Sequence, residues 1–163
     1  MIEGFRIEYL VDYPEHVQAC AAWAFGRWGV QKKDGSLERS LKTFQDGAQK
    51  DALPLTLIAL NEKNEMPVAM ISLWEKDGTI WTDDVITPWI ACVYTHYRYR
   101  GRGLAGALLK RMEEEAKKIG FGQIYLQSGS AAGLYLENGY EAVETVKSDE
   151  TKAGTQTLLK KIL

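Results

Sequence analysis

Between Phe5 and Tyr9 apolar and polar residues alternate, which predicts a first strand. The period then becomes helical: Val17, Cys20, Ala21, Ala24, Phe25 and Trp28 form one stripe. Ahead of it, Asp12-x-x-Glu15 has the spacing of a capping box, with Pro14 in the first turn, where its missing N–H is tolerated. Trp23 and Trp28 read as packing residues, with the wall of a pocket as the alternative. Ser36 predicts the cap of a second helix that carries Leu37, Leu41 and Phe44 at the same spacing. Two apolar runs, Leu55 to Leu60 and Val68 to Trp74, are joined by the polar turn Asn61-Glu-Lys-Asn-Glu65 and predict a hairpin. A looser segment from Lys76 to Thr87 leads to a further strand, Trp89 to Tyr94.

The strongest helical pattern follows. Leu104, Leu108, Leu109, Met112, Ala116 and Ile119 share one face, and Gly120 stands just past the end, with Lys117 and Lys118 in the last turn. Then come a strand from Gln123 to Gln127, a short helix from about Ser130 to Asn138 stopped by Gly139, and strands Glu141 to Lys147 and about Thr155 to Ile162. Hairpins mixed with crossover helices predict a mixed sheet with helices on both faces.

Between the strand ending at Tyr94 and the long helix lies Arg98-Tyr-Arg-Gly-Arg-Gly103. The first turn of a helix presents backbone N–H groups without partners at its positive end, a natural holder of phosphate. Gly101 and Gly103 leave those amides approachable, and Arg98, Arg100 and Arg102 add positive charge. Gly101-x-Gly103-x-x-Gly106 spells the dinucleotide fingerprint, but a basic segment separates it from the strand, and the next strand carries no Asp or Glu for a ribose. The P-loop fails because no Lys-Ser or Lys-Thr follows Gly106.

Composition narrows the partner. The net charge of -2 argues against nucleic acid, so the arginines suit one small anionic ligand. No apolar run approaches the ~20 residues that span a membrane, and the first residues lack the pattern of a signal peptide, so a cytoplasmic protein with reduced thiols is expected. Cys20 and Cys92 are too few for a disulfide framework or a zinc site, and no metal is expected. With no linker or repeat in the sequence, residues 1–163 are expected to form one domain.

The same loop fits Gln/Arg-x-x-Gly-x-Gly/Ala in two frames, Arg98-x-x-Gly101-x-Gly103 and Arg100-x-x-Gly103-x-Ala105. This resembles the acyl-CoA motif of the GNAT superfamily of N-acetyltransferases. The element order is similar to that fold over essentially the whole chain. Leu134-Tyr135-Leu-Glu-Asn-Gly139-Tyr140 has the spacing of the family's Leu-Tyr-x-x-x-Gly-Phe/Tyr segment. Leu53 to Ala59, Thr87 to Tyr94 and Tyr99 to Gly103 look like a bacterial branch whose substrates are unknown. The resemblance implies an α/β (α+β) fold: a mixed, mostly antiparallel central sheet of about six or seven strands, flanked by about four helices.

It also implies roles. Backbone amides over Arg98, Tyr99, Arg100, Gly101, Arg102, Gly103, Leu104 and Ala105 would hold the pyrophosphate of acetyl-CoA. Cys92, Val93 and Tyr94 would pair with its pantetheine as a strand would. Many members carry Asn seven residues before the tyrosine. Ser128 stands there in this chain, and its hydroxyl would replace part of that contact. Tyr135 matches the donor of a proton to the leaving thiolate. The base stays open among Asp83, Asp84 and His96. Trp81 and Trp89, near Asp83 and Asp84, would attract an ammonium. Cys92 reads as a packing residue, because His96 lies roughly 13 Å along the strand, too far to activate a thiol.

The expected activity is transfer of acetyl from acetyl-CoA to a primary amine, on a small molecule or a peptide, by direct attack. The alternatives are a non-catalytic CoA-binding regulator of the same fold and, less consistent with the loop, a nucleotide-dependent oxidoreductase. No nucleic-acid or membrane partner is expected, and a homodimer is compatible with the resemblance.

Overall fold

The computed structural model describes residues 2–78, 80–129, 132–147 and 154–163. β1 (Phe5–Tyr9), β2 (Leu55–Asn61), β3 (Pro67–Trp74), β4 (Trp89–Thr95), β5 (Gln123–Ser128), β6 (Glu141–Val146) and β7 (Gln156–Ile162) form one sheet, in the order β1-β2-β3-β4-β5-β7-β6. Every neighbouring pair is antiparallel except β4 and β5, which run parallel and are in register only at Trp89 and Tyr125. Four helices flank the sheet: α1 (Val17–Arg27), α2 (Leu37–Asp46), α3 (Leu104–Ile119) and α4 (Ala132–Glu137). This is the mixed, mostly antiparallel architecture that the resemblance implies.

Strand alternation sends successive side chains to opposite faces, and each face builds its own core. On one, Leu55, Leu57, Ala59, Ile71 and Leu73 pack under Leu104, Leu108, Leu109, Met112 and Ala116 of α3, with Tyr135 of α4. On the other, Ile58, Leu60 and Met70 meet Cys20, Ala21 and Ala24 of α1 and Phe44 of α2. Farther along that second face, Trp89, Tyr125 and Leu158 form a small separate cluster, joined by Trp81 and Ile86.

α3 begins and ends where its pattern predicts. Gly120, at φ 113°, closes it through bonds to Ala116 O and Lys117 O. Glu115, beside the apolar stripe, is buried yet charged. Burial alone would raise its carboxyl, but hydrogen bonds from Tyr9, Lys118 and Arg111 outweigh that and hold it below the usual range. α2 has the predicted cap: Ser36 Oγ accepts from Arg39 N at 3.1 Å. Ser36→Ala should therefore cost about 1 kcal/mol of stability, visible as a lower urea midpoint with an unchanged slope.

The capping box is corrected. Residues Leu10–Asp12 and Pro14–His16 form two 3₁₀ turns, α1 starts only at Val17, and no side chain caps it. Asp12 instead pairs with Lys50 Nζ at 2.7 Å. The expected start of the short helix at Ser130 lies outside the described residues.

Candidate active site

The site grows from the one weak seam of the sheet. Because β4 and β5 share only a single register pair, their C-terminal halves part. β4 is irregular at the same level. Between the pairs Met70–Tyr94 and Ser72–Ala91 it carries two residues, Cys92 and Val93, opposite the single residue Ile71. This is a β-bulge, which leaves one residue out of the ladder and bends the strand. Cys92 takes φ 52°, a conformation that costs a side-chain-bearing residue energy and is kept only where its surroundings enforce it. Cys92 is half-buried, and burial pushes its thiol up to about 12, as it does for Cys20. The thiol is thus a neutral packing group, as expected.

Beyond β4 the chain makes a 3₁₀ turn, Tyr97–Tyr99, capped by His96, whose Nδ1 accepts from Arg98 N at 3.3 Å. One ring nitrogen of His96 thus helps to shape the loop. Gly103 is the N-cap of α3 at φ 79° and no side chain closes that end. The first intrahelical bond runs from Ala107 N to Gly103 O, so the amides ahead of it, including those of Leu104 and Ala105, point out of the helix without helical partners. An ideal Cβ on Gly103 would meet only Ile2 at 3.8 Å, so the glycine is required by its left-handed backbone rather than by crowding.

The three arginines do not converge freely on this point. Arg100 Nε bonds Thr95 O at 2.9 Å and lies over Tyr94. Arg102 lies over Tyr99 and Phe5, and Arg98 over Tyr97, whose hydroxyl it meets at 3.0 Å. Each guanidinium is held on an aromatic face, which fixes a positive rim around the helix end at little further cost in side-chain freedom.

Tyr135 sits on α4 in the core beneath α3, 8% exposed, edge-on to Tyr140 at 6.0 Å. Burial pushes its phenol up to about 12, and its hydroxyl makes no hydrogen bond to a described residue. Asn138 ties the end of α4 to Leu134 O at 2.7 Å, and its amide would stand 3.7 Å from a Cβ placed on Gly106 of α3. Ser128 closes β5 and is half-buried.

The acceptor-side residues fall differently. Asp83 caps Val85 N at 3.1 Å, and Asp84 pairs with Lys76 at the surface, a bond that holds its carboxyl below the usual range. Trp89, expected near the acceptor, lies beneath its loop. Its ring is 1% exposed, and its N–H is spent on Ile86 O at 2.6 Å, because it is the centre of the third cluster. Trp81 packs against that cluster and donates to Glu144 at 2.9 Å.

Asp77 escapes sequence reasoning. It follows β3, and the loop folds back so that the Gln127 amide of β5 meets its carbonyl at 3.4 Å and its carboxylate. Burial raises the Asp77 carboxyl. The local signal is Gly78, at φ 86°, where a Cβ would lie 2.4 Å from Gln127 Nε2.

The uncapped N-terminus of α3, the bulge of β4 and the parting of β4 from β5 are the features that set this end of the sheet apart. Residues 17–140 match the acetyltransferase (GNAT) family, and the chain belongs to it. Its fold is similar to that of the yncA protein from Salmonella typhimurium, solved with its cofactor acetyl-CoA (TM-score 0.74, 15% identity, 99% of this chain and 95% of that one). It is also similar to a GNAT acetyltransferase from Streptococcus pneumoniae (0.70, 16%, 98% and 99%). An aminoglycoside 6'-N-acetyltransferase complexed with coenzyme A matches as well (0.73, 12%, 96% and 96%). No curated protein matches the chain. No helix of the described residues is long and apolar enough to cross a membrane.

Proposed function

We propose that this acetyltransferase moves the acetyl group of acetyl-CoA to a primary amine by direct attack. The observation that carries the reading is the coincidence of the bulge at Cys92 with the parting of β4 from β5, next to the open end of α3. A pantetheine chain carries amides and can pair with the freed edge of β4. The unpaired backbone around Cys92 and Val93 offers an N–H to the thioester carbonyl, where negative charge develops. The amides from Gly101 to Ala105, rimmed by Arg98, Arg100 and Arg102, suit the pyrophosphate.

Tyr135 then supplies the proton to the departing sulfur. Its raised pKa keeps it protonated across the working range. A thiolate in the same low-dielectric seam gains basicity for the same reason, so the transfer stays feasible. Release of free CoA thiol from acetyl-CoA, measured over amines, peptides and aminoglycosides, tests the reading. At least one amine class should raise release above the enzyme-free rate. Stabilisation by acetyl-CoA without turnover of any amine would favour a non-catalytic CoA-binding module.

A further inference from the structure

The face of the sheet that carries Cys92 is covered in two parts. α1 and α2 cover its first strands around Cys20 and Phe44, and the segment from Trp81 to Ile86 covers β5 and β7 around Tyr125 and Leu158. Between the two clusters lies the seam where β4 and β5 part, bordered on this face by Cys92, Tyr94 and Gln127, all half-buried. Trp23 of α1 stacks on Tyr94 at 5.2 Å and walls one side. Asp77 lies in the seam. Gln127 holds it from β5, and Gly78 lets its backbone come close enough for that. Its carboxylate is within electrostatic reach of the Cys92 thiol on the bulge and of Lys32 beyond α1.

Resting on the acetyl-transfer reading above, we propose that the Asp77 carboxylate is the general base that takes the proton of the acceptor amine. An amine approaching a thioester carbonyl held at the bulge arrives from the seam, because α3 and α4 close the other face. Asp77 is the carboxylate that the loop turns back to that level. Asp83 is spent on a turn and Asp84 on Lys76 at the surface.

Burial raises the Asp77 carboxyl above its ordinary value near 3.9, opposed in smaller measure by the Gln127 bond and Lys32. A base works best when its pKa approaches the operating pH, and this shift moves Asp77 that way. The other titratable groups facing it are Cys92 and, behind that, Cys20. Both thiols are pushed up to about 12 and stay neutral, so Lys32 is the charged neighbour.

In the step, the nitrogen lone pair forms the C–N bond and the N–H proton passes to Asp77. The C–S bond breaks with its pair on sulfur, which takes the Tyr135 proton. Water returns a proton from Asp77 to Tyr135, leaving amide and free thiol.

The sign of the stability effect follows. A carboxyl raised by burial contributes its full stability only below its unfolded value, and that contribution is lost as pH rises through the folded one. At pH 7 the buried, ionised Asp77 therefore adds no stability to the fold, so removing its charge should not lower the melting temperature.

The test compares wild type with Asp77→Asn and Asp77→Glu. Hydroxylamine is the probe nucleophile, being small enough to need no recognition and neutral near pH 7. Thiol release from acetyl-CoA, expressed per neutral hydroxylamine so that the probe's own titration is removed, is followed above the enzyme-free rate from about pH 5 to 9. Asp77→Asn should lower kcat/KM by about 10² and flatten the rising limb, and Asp77→Glu should restore part of both. Acetyl-CoA affinity by calorimetry should hold within about twofold, and the Asn variant should melt no lower than wild type at pH 7. A wild-type rate equal to the enzyme-free rate, with acetyl-CoA bound, would overturn the acetyl-transfer reading and this proposal with it. Wild-type catalysis retained in Asp77→Asn, limb unmoved, would overturn Asp77 alone. So would a drop in melting temperature or acetyl-CoA affinity that Asp77→Glu fails to recover, since that marks a structural role.

Discussion

Tyr135→Phe should lower kcat by a factor of about 10² or more while leaving acetyl-CoA affinity and melting temperature nearly unchanged. The phenylalanine keeps the ring that packs into the α3 core and lies edge-on to Tyr140. It loses only a hydroxyl that bonds no described residue, so the fold has little to lose. The chemistry has more. Without a donor, the sulfur must leave as a bare thiolate in a buried seam, where charge is poorly solvated. Steady-state kinetics with thiol detection, beside calorimetry and thermal melts, separate these quantities. Unchanged turnover would make Tyr135 a packing residue. The contrast with Tyr140 is useful: its hydroxyl is deeply buried, and burial, with the nearby Glu113 carboxylate, pushes its phenol up too. It belongs to the brace beneath α4, where Lys161 bonds both Glu113 and Asn138 O at 2.8 Å.

Gly103→Asp should weaken acetyl-CoA binding at least tenfold, about 1.4 kcal/mol, in a protein that still folds. Aspartate tolerates the left-handed backbone better than most residues and is favoured as an N-cap, so α3 should survive the change. Its carboxylate would, however, occupy the open amides and set a negative charge where the pyrophosphate is expected. Calorimetry on the folded variant decides. Unchanged affinity would remove this helix end from the site.

Where the sequence was legible, the information was local. The apolar stripe of α3, the glycines at its two ends and the serine cap of α2 are each set by neighbours within a turn or two, and each stands where its pattern predicts. The start of α1 was misread because Asp12 has a partner, Lys50, that only folding brings near. The bulge was illegible for a related reason. It is a mismatch between β3 and β4, and no single strand records its register with another. Asp77 gave the least sign. Its placement comes from a loop that doubles back onto β5, a strand fifty positions later. Trp89, by contrast, looked accessible because a loop precedes it, yet that loop folds down over it.

The division of the side chains into two cores has an evolutionary consequence. Leu108 and Phe44 lie on opposite faces and belong to cores with no buried member in common, so their substitutions should combine additively. The helix that starts at Gly103 belongs to one face. Trp23 and the approach to Asp77 belong to the other. On the proposed function, mutations that reshape the acceptor side would accumulate without retuning the end of α3 that the reading gives to acetyl-CoA. Such a partition lets one cofactor scaffold drift among unrelated amines while its glycine loop stays fixed.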